Sequence, residues 1–183
     1  RFSASGLTAL AMAADRIRVG EAEVMIAAGT ESMSMVPMMG NRPSMNPRVL
    51  ADENIGIAYG MGLTAEKVAQ QWKVSREAQD AFALESHRRA IAAQQAGEFA
   101  DEIAAIEVVT KFPDLATREL AVNTRTVSLD EGPRADTSLE ALGRLRPAFA
   151  SPKDPGGKAT GLGSVTAGNS SQTSDGAGAL ILV

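Results

Sequence analysis

The segment RFSASGLTALAMAADRIRVGEAEVMIAA, residues 1–28, predicts a helix followed by a short strand. Its apolar residues recur at helical spacing until Gly20 interrupts the pattern, so we expect the helix to cover residues 6–19. The mostly apolar run at 23–28 is typical of a strand in a buried parallel sheet. A helix leading into such a strand indicates an α/β fold.

Two serines, Ser3 and Ser5, lie at the start of the predicted helix. Serine is a preferred N-cap residue, so capping is the simplest interpretation of both. A helix N-terminus also offers partial positive charge and free N–H groups, which stabilise a thiolate far better than they activate a hydroxyl. The chain contains no cysteine, so a thiolate cannot form here.

The other end of the chain, GSVTAGNSSQTSDGAGALILV at residues 163–183, is a turn rich in small polar residues followed by a strand pattern. Small residues and exposed backbone N–H groups suit the close approach of an extended, amide-bearing ligand. Taken alone, the segment is a flexible loop before a strand.

Several stretches together resemble the thiolases, the enzymes that make or cleave 3-ketoacyl-CoA by Claisen chemistry. The resemblance covers nearly the whole chain, and its motifs occur in the family's order. They are residues 1–41 and 163–183, GIAYGMGLTAEKVAQQW at 56–72, VSREAQDAFALESH at 74–87 and LRPAF at 145–149.

The resemblance implies an α/β fold, part of the N-terminal half of a thiolase with its inserted, mainly helical loop domain. Residues 1–31 would be a piece of the N-terminal core, and residues 32–160 the loop domain that covers CoA. Residues 161–183 would return to the core. Function is expected in the inserted domain.

The remaining patterns predict further helices and strands between long irregular connections. Ser75 is expected to cap one helix, with Glu77 complementing its dipole and Gly97 ending it. Thr137 and Glu140 fit a capping box for another. The predicted helices lie at 64–73, 76–96 and 138–144, the strands at 103–110 and 177–183, and the irregular stretches at 30–60 and 111–136.

In thiolases, the segment that matches RFSASGL carries the nucleophilic cysteine at the position of Ser3. We interpret Ser3 as an engineered Cys→Ser substitution of the kind used to trap acyl-CoA, with a natural inactive paralogue as the alternative. The family's histidine base, second cysteine and oxyanion-binding asparagine belong to a C-terminal half that the sequence lacks. We therefore expect the 183-residue chain alone to be inactive and, because its sheet would expose an edge and an apolar face, poorly soluble.

The resemblance also implies contacts with CoA. Ala167 and Ser171 match family positions along the pantetheine arm, and Ala148 and Phe149 match residues that pack beside it. Arg134 matches a residue at the nucleotide end of CoA. A guanidinium in a polar loop can pair with a phosphate or stack on adenine.

Five of the eight methionines fall between Met33 and Met45, which offers either an adaptable acyl-binding surface or irregular core filling. Within the family, Met38 falls where short-chain biosynthetic thiolases often place a histidine. The string SMVPMMGN at 34–41 accordingly resembles the degradative, longer-chain branch.

His87 and the glycine-rich segment at 154–159 receive no functional role. We expect His87 to face solvent, because it lies opposite the apolar stripe of Ala78, Ala81, Phe82 and Ala92 on a helical projection. The segment DPGGKA lacks the outer spacing and the Ser/Thr after lysine that a Walker motif requires. A flexible turn is the better interpretation.

Composition fits an ordinary cytoplasmic protein, with 44% hydrophobic residues, 22% charged residues and a net charge of −4. No apolar run reaches the length of a membrane span. Zero cysteines and one histidine argue against disulfides and bound metal. The acidic balance and 4% aromatic content argue against nucleic-acid binding.

The implied activity is acyl transfer, in which 3-ketoacyl-CoA is cleaved with CoA to acetyl-CoA and a shortened acyl-CoA, as in fatty-acid β-oxidation. CoA would be a co-substrate, and no permanently bound cofactor is expected. The expected partners are acyl-CoA and CoA, a homodimer or homotetramer, and a fatty-acid oxidation complex. The alternatives are a catalytically dead CoA-binding protein, a short-chain acetoacetyl-CoA thiolase and an assembly module.

Overall fold

A computed structural model describes residues 1–51 and 55–183 of the chain. These residues fall into two units, 1–51 with 172–183 and 55–171, so the second is inserted between the two segments of the first. An insertion of this order was predicted, with boundaries at 31/32 and 160/161. The assignment of either unit to a domain of known role stays a prediction.

The first unit is built on one long helix and two strands. Helix α1 (Ser5–Arg18) follows a short 3-10 turn at Phe2–Ala4. It ends where Gly20 adopts a φ of +76°, a conformation that glycine adopts without the steric penalty of a Cβ. Strand β1 (Met25–Glu31) follows and packs against α1, and a short helix α2 (Pro47–Ala51) completes the first segment.

Strand β4 (Gly176–Leu182), near the end of the chain, pairs with β1 in antiparallel register, from Met25 opposite Leu182 to Glu31 opposite Gly176. The predicted strand positions are confirmed within a few residues, but the predicted parallel, buried sheet is wrong. Only Ala27 of β1 is buried in this structure. An apolar run predicts that a strand exists; it carries no information about the direction of the strand beside it.

The second unit contains helices α3 (Met61–Trp72), α4 (Arg76–Gln95) and α5 (Leu139–Gly143) and one β-hairpin. A 3-10 turn at Ile55–Ala58 precedes α3. Strands β2 (Ile106–Asp114) and β3 (Glu119–Val127) form the hairpin. The fold class is thus α/β, and the inserted unit is mainly helical, as predicted.

The hairpin corrects the prediction of an irregular stretch at 111–136. The carboxylate of Asp114 accepts hydrogen bonds from the backbone N–H groups of Ala116 (2.8 Å) and Thr117 (3.3 Å), and these bonds hold the pKa of Asp114 below its ordinary value. Arg118 completes the turn with a φ of +60°. Polar and charged residues in both strands obscured the alternation that identifies a strand.

Two predicted caps can be compared directly with the structure. Ser75 caps α4 by accepting a hydrogen bond from Ala78 N at 3.2 Å, as expected, and Gly97 follows the end of that helix with a φ of +73°. The capping box at Thr137 is wrong by one residue: Ser138 caps α5 and accepts from Ala141 N at 3.1 Å. Adjacent hydroxyl residues offer the same cap chemistry, so sequence alone chooses poorly between them.

Helix α4 buries a different face from the one predicted. The expected inward stripe is exposed, and Phe82 is 79% accessible. The buried position on this helix is Asp80. Asp80 turns inward because its carboxylate has specific hydrogen-bond partners there, Arg76 and Asn169, which a hydrophobicity pattern does not register.

The second unit is organised around Glu66 of α3, whose side chain is fully buried. Its carboxylate accepts hydrogen bonds from Ser164 N (3.1 Å), Ser164 Oγ (2.6 Å) and Val165 N (2.9 Å). A buried carboxylate is costly unless its oxygens are satisfied, and these donors satisfy them. Glu66 therefore fixes the 164–165 segment to α3. Within the described parts of the chain, no helix is both long and apolar enough to cross a membrane.

Replacing Glu66 by glutamine should lower the free energy of unfolding by about 1–3 kcal/mol, because an NH2 group would then face N–H donors in a buried place. Urea denaturation followed by circular dichroism measures this loss. The matched control is Glu98→Gln, the same chemical change at an exposed glutamate, which should leave stability unchanged within about 0.5 kcal/mol. Equal effects at the two positions would contradict the role given to Glu66.

Candidate functional site

Ser3 lies exposed in the 3-10 turn immediately before α1. The N-cap of α1 is Ala4, and no side chain caps it, so the capping interpretation of Ser3 and Ser5 is wrong. Phe2 has a φ of +53°, a conformation that is uncommon for residues other than glycine and that occurs at functional turns. The structure therefore leaves Ser3 with no part in capping, at the N-terminal end of α1, where the aligned peptide dipoles place partial positive charge.

Met38 belongs to the same unit as Ser3 and is 64% exposed. Met35 and Met39 are also exposed, so core filling does not explain this part of the methionine-rich segment in the present chain. The segment is attached at its start, where Asp175 accepts hydrogen bonds from Ser34 Oγ (2.5 Å) and Ser34 N (2.9 Å). These bonds lower the pKa of Asp175 below its ordinary value.

The other five candidate residues belong to the second unit, where Ala148 and Phe149 follow α5. The backbone N–H of Ala148 donates to Val165 O at 2.8 Å, which joins this stretch to the segment held by Glu66. The Phe149 ring packs directly on Gly62 of α3. A Cβ at Gly62 would lie 2.3 Å from Phe149 Cζ, so only glycine permits this contact.

Asn169 shapes the loop that carries Ala167. Its Oδ1 accepts from Thr166 N at 2.8 Å, and its Nδ2 donates to Ser164 O at 2.8 Å and to Asp80 Oδ1 at 2.9 Å. Both polar ends of the side chain are thereby used inside one short loop. Ala167 lies exposed between these bonded residues, with its backbone conformation fixed by its neighbours.

Asp80 connects this loop to α5 through Arg76. Arg76 Nε donates to Asp80 Oδ2 at 2.7 Å, in an ion pair whose side chains are only 18% and 5% exposed. The same guanidinium donates through a terminal nitrogen to the carbonyls of Leu142 (2.5 Å) and Leu145 (3.3 Å). Loss of either partner would leave an uncompensated buried charge, so the pair holds both segments in place.

The structure thus brings Ala148, Phe149 and Ala167 into one arrangement, and Ser171 follows directly from it along the chain. In this arrangement, Ala167 is a small exposed residue and the partly exposed ring of Phe149 is an apolar face. An exposed loop with fixed backbone and little side-chain bulk can bind an extended, amide-bearing arm.

Arg134 lies in the polar loop after the hairpin, in an ion pair with Asp136 at 3.0 Å. Its guanidinium lowers the pKa of the Asp136 carboxyl, and the carboxylate in turn raises the pKa of Arg134. The backbone N–H of Arg134 donates to His87 Nδ1 at 3.1 Å. His87 is half-buried, so the prediction that it simply faces solvent is wrong: its ring has a specific donor on the loop.

The sequence analysis missed the residues that hold the candidate contacts in place. Four of these residues lie on α4. They are separated by four, seven and seven positions, which places them within about 40° of one another around the helix. This spacing is present in the sequence, but a pattern of apolar residues does not reveal it. We call this set the polar stripe of α4; it consists of Arg76, Asp80, His87 and Gln94.

Glu66 carried a weaker signal. It lies three residues after Leu63 and three before Ala69, so a carboxylate occupies the apolar side of α3. A charged residue at such a position requires buried partners, although the sequence cannot say which.

The chain is similar in sequence to several known proteins. Residues 1–183 match the family model described as the N-terminal domain of thiolase. The chain is 44% identical to a 3-ketoacyl-CoA thiolase of Bacillus subtilis, over 100% of this chain and 44% of that protein. It is 43% identical to an acetyl-CoA acetyltransferase of Pseudomonas aeruginosa, over 98% of this chain and 44% of that protein.

Solved structures give the same result. The dimeric peroxisomal thiolase of Saccharomyces cerevisiae matches with a TM-score of 0.68 and 35% identity, over 97% of this chain and 40% of that one. Human mitochondrial 3-ketoacyl-CoA thiolase in complex with CoA matches with a TM-score of 0.64 and 34% identity, over 97% of this chain and 42% of that one.

The chain therefore spans less than half the length of the relatives and structures named above. The family model nevertheless covers all of it. From the match over its full length, the chain belongs to the thiolase family and corresponds to the family's N-terminal domain.

Proposed function

We propose that this chain is the N-terminal part of a 3-ketoacyl-CoA thiolase of the degradative type, with serine at the position of the nucleophile. The observation that carries the proposal is the loop of residues 164–170, whose conformation is held by hydrogen bonds that it donates to Glu66 and Asp80 and by the internal bond between Thr166 and Asn169. Ala167 on that loop and Ser171 just after it match the family's pantetheine contacts. A loop whose conformation is already fixed before binding can bind an extended arm with little further loss of conformational entropy.

The reaction of a thiolase proceeds in two acyl transfers. A cysteine thiolate at the position of Ser3 attacks the 3-keto carbon, the bond between carbons 2 and 3 breaks, and acetyl-CoA leaves after its carbon 2 takes a proton. The acyl thioester is then attacked by the thiol of a second CoA, which releases the shortened acyl-CoA and the enzyme thiol. Covalent catalysis divides one difficult displacement into two easier ones.

Ser3 can take part in binding without completing this cycle. A serine hydroxyl ionises far less readily than a thiol, and the start of α1 alone supplies too little stabilisation to make it a nucleophile. The partial positive charge at the helix start is unchanged by the exchange of sulfur for oxygen. We therefore propose that a Ser3 protein binds acyl-CoA and turns it over very slowly.

The acyl-chain class is argued from Met38. Its exposed thioether side chain is flexible and apolar, which suits longer and variable chains. The two bacterial relatives carry both names, 3-ketoacyl-CoA thiolase and acetyl-CoA acetyltransferase, at nearly equal identity, so a short-chain acetoacetyl-CoA thiolase is the alternative. We further propose a cytoplasmic homodimer or homotetramer in fatty-acid β-oxidation. The dimeric yeast neighbour supports the dimer.

A catalytically dead CoA-binding protein is the second candidate, and the serine at position 3 is the observation that favours it. Both candidates share the CoA site, so binding experiments do not separate them. Restoring the thiol does.

Ser3→Cys in the full-length protein should raise the rate of 3-ketoacyl-CoA thiolysis by roughly 10³-fold or more, because loss of a nucleophile in a complete active site costs at least that much. The assay follows the consumption of the enolate form of the 3-ketoacyl-CoA at saturating CoA. Ser5→Cys is the control, since it adds a thiol two residues away, inside α1, and should restore nothing. CoA binding without recovered thiolysis in Ser3→Cys would favour the dead CoA-binding protein.

Arg134→Gln should weaken CoA binding about tenfold, the effect of losing one charge-assisted contact with a nucleotide phosphate. Isothermal titration calorimetry measures the dissociation constant. Arg125→Gln removes an equal charge from an exposed position on β3 and should change CoA affinity less than twofold. An equal loss in both variants would mean that net charge, not position, governs binding.

Gly62→Ala should displace the Phe149 ring and raise KM for 3-ketoacyl-CoA by roughly 3- to 10-fold in a Ser3→Cys background, since one misplaced apolar contact is worth about 1 kcal/mol. A helical Gly→Ala change ordinarily stabilises a protein by about 0.5–1 kcal/mol, so a higher KM in this variant would not come from a weakened helix. Gly143→Ala in α5, where a new Cβ meets nothing within 4 Å, is the control. An unchanged KM in Gly62→Ala would remove Phe149 from the binding site.

A further inference from the structure

Two hydrogen bonds attach the loop that carries Arg134 to α4. Gln94 Nε2 donates to Asp130 O at 2.9 Å, and His87 Nδ1 accepts from Arg134 N at 3.1 Å. We propose that His87 is a positioning residue that holds Arg134 in place for the nucleotide end of an acyl-CoA. This inference deepens the proposed function and rests on it.

The two hydrogen bonds act on a short segment of backbone whose conformation is already restricted. His87 and Gln94 are seven residues apart, so their Cα atoms are separated by about 10 Å along the helix axis. Between the tied residues, Gly132 N donates to Asp130 Oδ1 at 2.9 Å, and Pro133 limits its own φ. With both ends attached, the loop from Asp130 to Arg134 has little freedom to shift along α4.

The position of the Arg134 backbone matters because the side chain is long and 66% exposed. Asp136 orients the guanidinium through Nε (3.2 Å) and a terminal nitrogen (3.0 Å), but that contact lies within the same loop and moves with it. Among the contacts of Arg134 with the described residues, the hydrogen bond to His87 is the one that attaches it to a helix. Binding affinity falls when such a group must be ordered as the ligand binds.

His87 performs this role as an acceptor. An imidazole nitrogen that accepts a hydrogen bond carries no proton, so in this tautomer the ring proton lies on Nε2. The side-chain oxygen of asparagine is separated from Cβ by the same number of bonds as Nδ1 of histidine, and it also accepts. His87→Asn therefore keeps the hydrogen bond from the backbone N–H of Arg134, whereas His87→Ala removes it.

The test measures the dissociation constant for CoA by isothermal titration calorimetry on the full-length protein, with Tm recorded for every variant. His87→Ala should weaken binding about fivefold, the effect of one lost hydrogen bond, and His87→Asn should stay within twofold of the parent. Gln94→Ala should weaken binding in the same direction, while Gln95→Ala, the adjacent exposed glutamine, should not. Rescue by asparagine would separate positioning from a general loss of packing.

A double variant tells this inference apart from the proposed function. If His87 acts through Arg134, then His87→Ala should have no further effect on CoA affinity in an Arg134→Gln background. An equal loss with and without Arg134 overturns the positioning role, as does unchanged affinity in His87→Ala when Arg134→Gln weakens binding. If Arg134→Gln itself leaves CoA affinity unchanged, the nucleotide contact fails first and the inference fails with it.

Discussion

The buried carboxylate of Glu66 is the constraint on which the second unit depends. A charge at a fully inaccessible position must be compensated locally, and the donors are consecutive groups of Ser164 and Val165. Their backbone is thereby fixed to α3, and Val165 O is left to receive Ala148 N. One side chain thus determines where two loop segments run.

Helix α4 extends the same logic over a longer distance. Near its start, Asp80 and Arg76 reach the loop at 164–170 and the end of α5; two and four turns later, His87 and Gln94 reach the loop of Arg134. The segments that we propose to contact different parts of CoA are therefore all attached to a single rigid helix. A helix with a fixed rise per residue keeps such separations constant better than a chain of loops can.

The sequence predicted most of the helices and strands well, but it did not predict the side-chain contacts that hold them together. Helices at α1, α3 and α4 and the strands β1 and β4 follow from local periodicity, and Ser75 and Gly97 from local cap chemistry. The antiparallel pairing of β1 with β4 joins segments about 150 residues apart, which no local pattern encodes. The candidate contacts came from resemblance, whereas the residues that hold them, such as Glu66 and Asp80, are polar groups whose partners appear only after folding.

The polar stripe of α4 also affects which substitutions this sequence can tolerate during evolution. An apolar core accepts many substitutions of similar volume, because dispersion and burial are not directional. A hydrogen-bonded network accepts few, because each donor requires an acceptor at a set angle and distance. The exposed apolar positions of this helix, Phe82 among them, face no such restriction within the described chain. On α4 we therefore expect the polar stripe to tolerate fewer substitutions than the exposed apolar positions.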